Sequence, residues 1–356
     1  MTQNFNGERV LVTGGAGFIG SRVMKSVLRQ GAEAMAFDNL LAQVHGEVEP
    51  SDFDFPLVRG DVRDAAALTR VVADFQPTIV LHLAAETGTG QSADEPVRYA
   101  DVNVGGTARL IEALRASASP ARRVVLAGTR AVYGEGAYEE DGRIVTPPPR
   151  ASTAMAAGDF AVRGANGAAL RAMPTPETAE VRPGSVYGST KLMQEYLLQQ
   201  TPAPWDHVIL RFQNVYGAGQ SLRNPYTGVL SIFCEQSMRG LGLNVYEDGE
   251  IHRDFVHVDD VVRAVLAAAL TPSASGEVIN IGAGRTTAIL DAARAISSAF
   301  EVSQAPRVTG AFRAGDIRHA VADVRKAERL LGWTASVSFE EGLAGLIAWS
   351  RDHPPS

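Results

Sequence analysis

A phenol and an ammonium group lie one helical turn apart in the segment Tyr187-Gly-Ser-Thr-Lys191. Residues at positions i and i+4 share one face of a helix, so these two side chains can interact. A tyrosine with a pKa of about 10 is a poor base, but neighbouring positive charge stabilises the phenolate and lowers that pKa. Such a phenolate accepts a proton from an alcohol while the carbon loses hydride. Thr129, at the end of the run Leu126-Ala-Gly-Thr129, offers a hydroxyl to the same substrate oxygen.

Hydride chemistry requires a nicotinamide cofactor, and the N-terminal segment carries a pattern typical of a dinucleotide site. Residues 9–13 predict a buried strand, the glycines of Gly14-Gly-Ala-Gly17-Phe-Ile-Gly20 follow at once, and Val23 to Leu28 predict a helix that ends near Gly31. Strand, glycine turn and helix bring the backbone close to a diphosphate. The helix N-terminus adds free N–H groups and a positive dipole end.

Two acids follow the next strands. Met35-Ala-Phe-Asp38 predicts a second strand that ends in a carboxylate, where an acid binds the adenosine ribose hydroxyls and repels a 2′-phosphate. The sequence therefore favours NAD over NADP, although Asp38 could also be a solvated loop acid. Asp61, in Gly60-Asp61 after a third short strand, is predicted to meet the adenine amine, although Gly-Asp also forms plain turns.

Strands and helices alternate along the chain, which predicts an α/β fold with a Rossmann-like doubly wound parallel sheet and helices on both faces. The segment 136–184 interrupts this alternation, being rich in Pro, Ala and Gly; it is either a lid or a tolerated surface loop. We predict a nucleotide-binding domain of residues 1–211 with 250–282, and a substrate-binding lobe of residues 212–249 with 283–356. Strands are predicted at 78–85, 123–127, 207–211, 253–258 and 277–281, and helices at 107–114, around Tyr187 and Lys191, and at 339–349.

Composition narrows the class of protein. The 356 residues carry a formal charge of −7 and no basic blocks, which argues against nucleic acid as a partner. The single cysteine, Cys234, excludes an internal disulfide and a C-x-x-C zinc site, and we predict a buried thiol and no metal. No apolar run approaches a membrane span and no signal pattern opens the chain. We therefore expect a cytoplasmic enzyme without a membrane partner.

Ordered motifs along nearly the whole chain resemble the extended short-chain dehydrogenase/reductase superfamily, in its NAD-dependent epimerase/dehydratase branch. The motifs are Gly14-Gly-Ala-Gly-Phe-Ile-Gly20, His82-Leu-Ala-Ala85, Asn103, Thr129-Arg-Ala-Val-Tyr-Gly134, Tyr187 with Lys191, Arg211-Phe-Gln-Asn-Val-Tyr-Gly217, Arg253-Asp-Phe-Val-His-Val258 and Arg313-Ala-Gly-Asp-Ile-Arg-His319.

The resemblance implies a role for each matching position. Thr129, Tyr187 and Lys191 are the expected catalytic residues, with Lys191 also holding the nicotinamide ribose. Cofactor binding is expected from Gly14, Gly17, Phe18, Ile19, Gly20, Asp38, Asn39, Asp61, Val62, Leu83, Ala84, Ala85, Asn103, Tyr187 and Lys191. Substrate binding is expected from Glu86, Thr87, Thr129, Asn214, Arg253 and Arg313.

Several of these positions have plainer interpretations. Asn103 begins a predicted helix and could be a simple cap. Arg253 and Arg313 suit a diphosphate because a guanidinium forms paired hydrogen bonds to it, but each could instead form a surface ion pair with a nearby acid. Glu86 and Thr87 follow a strand at the ligand-binding edge of the sheet and could equally be loop-capping residues.

The resemblance also narrows the reaction. Dehydratases of this branch carry Asp-Glu directly after the catalytic threonine, whereas this chain has Arg130 and Ala131. Epimerisation at C4 of a nucleotide-diphosphate sugar, with retained NAD, is therefore expected, and the family also implies a homodimer. The motifs look most like those of dTDP-L-rhamnose 4-epimerases, which interconvert dTDP-L-rhamnose and dTDP-6-deoxy-L-talose. A cysteine pair frequent in that group is absent from Gly164-Ala-Asn-Gly167.

Three alternatives remain open. The sugar could be a UDP-hexose, a UDP-N-acetylhexosamine or a UDP-uronic acid, with the same chemistry in a different pocket. The enzyme could be a net NAD(P)-dependent nucleotide-sugar oxidoreductase that releases reduced cofactor. A regulatory dinucleotide-binding protein is disfavoured, because such proteins typically lack the Tyr/Lys pair.

Overall fold

A sheet of parallel strands forms the centre of the molecule. The computed structural model describes residues 4–222, 224, 226, 228–313 and 315–354. The strands are β1 (Arg9–Thr13), β2 (Glu33–Asp38), β3 (Leu57–Arg59), β4 (Ile79–His82), β5 (Arg123–Thr129), β6 (Tyr138–Glu140), β7 (Arg143–Val145), β8 (Arg171–Ala172), β9 (Asp206–Phe212), β10 (Asn214–Tyr216), β11 (Asn244–Val245), β12 (His252–Arg253), β13 (Phe255–His257), β14 (Val278–Ile281), β15 (Thr287–Ala288), β16 (Arg307–Val308) and β17 (His319–Ala320).

The helices alternate with these strands. They are α1 (Gly20–Arg29), α2 (Ala42–His45), α3 (Ala65–Phe75), α4 (Thr89–Asp94), α5 (Pro96–Tyr99), α6 (Gly106–Ala116), α7 (Ser152–Ala156), α8 (Val186–Gln200), α9 (Val229–Met238), α10 (Val258–Leu270), α11 (Ile289–Ala299), α12 (Arg325–Leu331) and α13 (Phe339–Asp352). Short 3₁₀ turns lie at Pro50–Asp52, Arg130–Tyr133 and Pro272–Ala274, and a π-helical segment spans Ala100–Gly105.

The central sheet has seven strands in the order β14-β9-β5-β4-β1-β2-β3, and all of its pairs are parallel. In β1, Val10 lies between Ala34 of β2 and Ile79 of β4. Such strands are apolar along their whole length because both faces of the sheet are covered. One face packs against Val23 and Val27 of α1 and residues of α10, and the other packs against residues of α3 and α6. The predicted α/β fold is confirmed.

Two predicted strands differ from the structure. The run at 78–85 is a strand only over Ile79–His82, because Leu83 to Ala85 leave the sheet and pass over the glycine turn after β1. The segment 253–258 splits into β12 and β13, and Val258 begins α10. Neither strand joins the central sheet, since β12 pairs with β15 and β17 and β13 pairs with β10.

The C-terminal part has its own apolar core. Phe233 of α9, Ile296 of α11 and Leu346 of α13 pack around Tyr216. Cys234 belongs to the same core and is fully buried, as predicted. The closing helix α13 includes the predicted span 339–349.

The segment 136–184 contains structure of its own. Strands β7, β6 and β8 form a small antiparallel sheet in that order, and α7 follows β7 in the chain. Thr175 pairs with Ala322 in an isolated parallel bridge. The segment is thus attached to the C-terminal part of the chain.

The turn after β1 allows a test of the close packing at Gly14. A Cβ at Gly14 would lie 2.7 Å from Ala84 N, and its φ is +70°. Gly7 has a similar φ of +78° but nothing within 4 Å, so it isolates the backbone strain. We expect Gly7→Ala to lower the free energy of unfolding by about 1 kcal/mol, and Gly14→Ala by about 2 kcal/mol more, because the neighbouring atoms are backbone. Urea unfolding of both variants measures the difference; equal losses would contradict the close approach.

Candidate active site

The glycine turn lies at the carboxyl end of the central sheet. Gly14 N donates to Phe37 O over 2.8 Å, and Gly17 N donates to Gly14 O over 3.2 Å. A side chain at Gly20 would collide with Gly14 O, so the first residue of α1 packs directly on the turn. A helix N-terminus beside a turn with so little space for side chains is the cradle that a dinucleotide diphosphate requires.

Asp38 is joined to the same turn. Its Oδ2 accepts a hydrogen bond from Ala16 N over 3.0 Å, and its Oδ1 accepts one from Leu40 N over 2.9 Å. The residue is buried, so it is not a solvated loop acid. Two carboxylate oxygens have about four acceptor positions, which leaves capacity for the two hydroxyls of a ribose.

Asp61 lies beside Asn39, the residue after Asp38. Asn39 Nδ2 donates to Asp61 Oδ2 over 3.1 Å, and Arg63 Nη2 donates to the same oxygen over 2.8 Å. The hydrogen bond from Arg63 is the largest cause that lowers the pKa of Asp61 to about 2. Asp61 is therefore ionised at neutral pH, and Val62 beside it is buried against α6 at Gly106.

A neutral, buried histidine joins three elements at the carboxyl end of the sheet. His82 Nδ1 is hydrogen-bonded to Thr13 Oγ1 at 2.7 Å, and Nε2 to Thr107 Oγ1 at 2.9 Å. Burial lowers the pKa of His82 to about 3, so the ring is uncharged. It links β1, β4 and α6 without adding positive charge beneath the cofactor cradle.

Asn103 occupies a different place from the one predicted. It lies inside the π-helical segment rather than at a helix start, so the helix-cap interpretation is wrong. Its Oδ1 accepts from Glu86 N at 2.8 Å, and its Nδ2 donates to Glu86 O at 3.1 Å and to Thr190 Oγ1 at 3.0 Å. Asn103 thereby connects the loop after β4 to α8, which carries Tyr187.

Thr129, Tyr187 and Lys191 come together where β5 ends and α8 begins. Ser185 caps α8 by accepting from Gly188 N at 3.1 Å, and Tyr187 N donates to Ser92 Oγ at 3.1 Å. Burial raises the pKa of Tyr187, whereas hydrogen bonding to Thr129 and the charge of Arg130 lower it. In the chain alone, burial therefore outweighs the neighbouring groups, and a lowered pKa stays a prediction for the protein with its positively charged cofactor.

The Lys191 side chain is buried. Burial lowers its pKa to about 7, against the opposing charge of Glu195. No carboxylate of the described residues lies within ion-pair distance of its ammonium. Glu195, whose charge acts on Lys191, forms its own ion pair with Arg211 at 2.6 Å. An ammonium placed in this way is available to the hydroxyls of a cofactor ribose.

Arg130 lies in the site near Tyr187, although the sequence does not predict a role for it there. It follows Thr129 directly, and burial lowers its pKa to about 10, with the charge of Arg253 acting in the same direction. It forms no ion pair within the described part of the chain. The only signal in the sequence was that Arg130 stands where dehydratases have an acid.

Three predicted substrate residues, Asn214, Arg253 and Arg313, lie outside the central sheet. Asn214 is in β10, and its buried Oδ1 has no hydrogen-bond partner within the described residues. Arg253 Nη2 donates to Asp316 Oδ1 at 3.0 Å, and the Arg313 guanidinium lies 5.1 Å from the centre of the Tyr246 ring. Arg253 is thus buried and paired with an acid distant in the chain rather than in a surface ion pair with its neighbour Asp254, and Arg313 forms no ion pair with a described residue.

Glu86 and Thr87 are engaged within the protein. Glu86 Oε2 accepts from Arg98 Nη2 at 2.9 Å, and Thr87 O accepts from the Tyr99 hydroxyl at 2.5 Å. The Tyr99 ring in turn meets the Tyr187 ring edge to face, with centres 6.4 Å apart. Thr87 is therefore linked through Tyr99 to Tyr187, the predicted catalytic tyrosine.

The parallel sheet, the glycine turn and the Thr129, Tyr187 and Lys191 group define an enzyme that works with a nicotinamide dinucleotide. Residues 10–282 match the NAD dependent epimerase/dehydratase family, and the chain belongs to this family. It is 42% identical over 352 residues to a dTDP-L-rhamnose 4-epimerase of Burkholderia thailandensis, covering 97% of this chain and 95% of the relative.

Solved structures agree with this assignment. A UDP-glucose 4-epimerase of Thermotoga maritima with UDP-glucose superposes with a TM-score of 0.81 at 31% identity, covering 97% of this chain and 99% of the other. A UDP-glucose 4-epimerase of Thermus thermophilus in complex with NAD gives a TM-score of 0.76 at 30% identity, with the same coverage. The predicted family, the epimerase class of enzyme and NAD as cofactor are confirmed.

Two further observations concern other partners. Among the residues that the structure describes, no helix has the length and apolar character needed to cross a membrane. The same residues contain no group of three or more His, Cys, Asp or Glu side chains that could hold a metal ion.

The charge of Arg130 gives a pH-dependent prediction. Because this cation lowers the pKa of Tyr187, Arg130→Met should raise that pKa and move the acidic limb of the kcat/KM profile to higher pH by about one unit. Arg130→Lys keeps the charge and should shift the limb less. Rates of sugar-nucleotide epimerisation between pH 5 and 10 provide the measurement, and equal profiles for all three proteins would contradict it.

Proposed function

We propose that this protein is a nucleotide-sugar 4-epimerase that interconverts dTDP-L-rhamnose and dTDP-6-deoxy-L-talose. The substrate assignment rests on the 42% identity to a dTDP-L-rhamnose 4-epimerase over nearly the whole chain. The reaction type is supported by Thr129, Tyr187 and Lys191 at the carboxyl edge of the sheet.

The protein's own residues account for the proton transfers. Tyr187, as the phenolate, takes the proton of the sugar 4-hydroxyl, and Thr129 hydrogen-bonds the same oxygen and orients it. Lys191 holds the ribose of NAD and adds positive charge near the phenolate. NAD, when bound, supplies the acceptor for the hydride of C4.

Inversion requires the sugar to present its other face. After oxidation the sugar carries a ketone at C4, and rotation in the pocket exposes the opposite face of that carbon. The 4-epimer would form if C4 regained hydride on this face while Tyr187 returned the proton to the oxygen. No cofactor is consumed, so the enzyme needs none in the medium.

The roles of the remaining predicted residues belong to this proposal. Asn214, Arg253 and Arg313 bind the substrate diphosphate, because amide and guanidinium N–H groups donate hydrogen bonds to phosphate oxygens. Glu86 and Thr87 contact the sugar from the loop after β4. The nucleotide domain is residues 1–211 with 250–282, and the other ranges form the substrate lobe.

Dehydration is disfavoured by the two residues after Thr129. Arg130 stays protonated at neutral pH with a pKa of about 10, and Ala131 has no ionisable group. Neither supplies the acid and base that elimination of water requires.

UDP-glucose epimerisation is the second candidate, because the Thermotoga maritima enzyme with UDP-glucose has a TM-score of 0.81 to this chain. Proton NMR without added cofactor separates the two. Purified protein is incubated in turn with dTDP-L-rhamnose, UDP-glucose, UDP-N-acetylglucosamine and UDP-glucuronate. We expect only the first to give its 4-epimer. Turnover only with added NAD(H) would refute the epimerase and indicate net oxidoreduction.

Tyr187→Phe tests the proposed base. The variant retains the ring but cannot accept the substrate proton, so we expect kcat to fall by at least about 100-fold while bound NAD is retained. Tyr196→Phe is the matched control on the same helix, since Tyr196 is exposed. Near-normal activity of Tyr187→Phe, measured in the same NMR assay, would refute the mechanism.

We also propose a homodimer through α5, the π-helical segment, α6 and α8. Val97 is 80% exposed and Met193 is 45% exposed, on helices that pack side by side. Val97→Asp with Met193→Asp should convert the dimer to a monomer in light scattering coupled to gel filtration, because buried unpaired charges are costly. Leu241→Asp, at a residue that is 50% exposed, is the control on another surface. An unchanged mass for the double variant would argue against this interface.

A further inference from the structure

The inserted segment 136–184 places one arginine inside the substrate lobe. The Arg150 side chain is 3% exposed, and all five of its N–H groups donate hydrogen bonds. Nε donates to Glu135 Oε1 at 3.2 Å, and Nη1 donates to Phe160 O at 3.2 Å and to Glu247 Oε2 at 2.8 Å. Nη2 donates to Glu247 Oε1 and to Asp316 O, each at 2.8 Å.

These contacts surround the loop that carries Arg313. Glu247 follows Tyr246, whose ring lies under the Arg313 guanidinium at 5.1 Å. On the other side, Asp316 N donates to Arg313 O over 3.1 Å and closes a turn. Arg150 therefore holds the chain on both sides of the Arg313 side chain.

The same contacts fix Arg253. Asp316, whose carbonyl group binds Arg150, accepts a hydrogen bond from Arg253 Nη2 at 3.0 Å through Oδ1. Arg253 Nη1 also donates to His252 O at 2.9 Å. The two guanidinium groups assigned to the diphosphate thus depend on one shared residue, Asp316, and Arg150 holds its backbone.

A second arginine makes this cluster rigid. Arg318 Nη1 donates to Glu247 Oε2 at 2.8 Å and to Asp248 Oδ1 at 2.6 Å, and Arg318 N donates to Glu135 Oε2 at 2.9 Å. The Glu247 side chain is fully buried between the two arginines. A buried network with every member paired resists movement, because any displacement leaves a charge without its partner.

We propose that Arg150 is a positioning residue for the substrate diphosphate, holding Arg253 and Arg313 in the arrangement that binds this anion. The inference rests on the proposed function for the roles of those two arginines. It gives the inserted segment a part in substrate binding, although none of its described strands joins the central sheet.

The proposal separates binding from chemistry. Arg150 touches neither Tyr187 nor Lys191, so its loss leaves the reacting groups in place. Without Arg150, the side chains of Arg253 and Arg313 and the loop that carries Arg313 are no longer ordered before the anion binds. The entropy cost of ordering them then lowers the net binding free energy of the anion. The effect therefore falls on the Kd of a nucleoside diphosphate and on KM, and not on kcat.

The test uses the NAD-containing protein and two probes, dTDP and UDP, titrated by calorimetry without any sugar. Arg150→Gln combined with Glu247→Gln removes both buried charges and keeps polar side chains, which protects the fold. Arg150→Lys keeps the charge but cannot form the paired hydrogen bonds. Arg163→Gln is the matched control, because Arg163 lies on the same segment in an exposed ion pair with Asp159.

We expect the double variant to bind the preferred nucleotide about tenfold or more weakly, with KM raised by a similar factor and kcat within about threefold. Arg150→Lys should lie between, and Arg163→Gln should match the wild type, as should bound NAD in all variants. An unchanged Kd in the double variant, even with a lower Tm, would overturn the proposal, as would failure of wild-type protein to bind either nucleotide.

These titrations also separate the inference from the proposed function. If dTDP-L-rhamnose is not epimerised but the double variant still loses nucleotide affinity, the sugar assignment fails and the role of Arg150 stands. If epimerisation is confirmed but the nucleotide affinity of the double variant is unchanged, the sugar assignment stands and the role of Arg150 fails.

Discussion

The approach of the Gly14 backbone to the backbone at Ala84 is the constraint on which the site depends. It lets the loop after β4 cross the turn after β1, and the loop then reaches Glu86, whose N–H and carbonyl groups both bond to Asn103. Asn103 holds Thr190 on α8, one turn beyond Tyr187. The cradle for the cofactor and the helix that bears the base are thus joined through one amide side chain, so the hydride acceptor and the base hold a fixed relation.

Positive charge is the second organising feature. Lys191 is buried and Arg130 is half-buried, and neither has a carboxylate ion-pair partner among the described residues. Loss of hydration lowers the pKa of both, to about 7 and about 10 respectively. The acids whose charges act on these two groups are paired with other arginines, since Glu195 binds Arg211, Asp316 binds Arg253 and Glu135 binds Arg150. A cleft with uncompensated cations favours a phenolate and an anionic substrate. The arrangement therefore suits an enzyme whose base must ionise and whose substrate carries a diphosphate.

Sequence reasoning succeeded where local pattern and backbone geometry coincide. The glycine turn, Asp38 and the i, i+4 pair on α8 are encoded within short segments, and the structure places them at the carboxyl edge of the sheet. Local patterns do not reveal long-range contacts. The sequence predicts a helix start at Asn103, whereas in the structure its side chain bonds to Glu86 and Thr190, which are distant in the chain. In the chain without cofactor, burial raises the pKa of Tyr187, and the spacing of residues does not reveal that burial. No motif marks Arg150, because its four partners, Glu135, Phe160, Glu247 and Asp316, are far apart in the chain.

The burial of Arg150 also bears on whether the inserted segment 136–184 is a lid or a surface loop. A lid that opens freely would have to withdraw Arg150 from Glu247 and Glu135, and breaking a buried ion pair costs about 3–5 kcal/mol. It would also have to break the hydrogen bonds from Asn280 N to Glu177 Oε1 at 2.8 Å and from Asn280 Nδ2 to Thr175 O at 2.9 Å. Asn280 lies in β14 and accepts a hydrogen bond from Tyr133, in the turn after Thr129, at 2.8 Å. The segment is therefore linked through Asn280 to the turn after Thr129 and through Arg150 to the loops that carry Glu247 and Asp316. Any closure over substrate must move it together with the substrate lobe, and not as an independent flap.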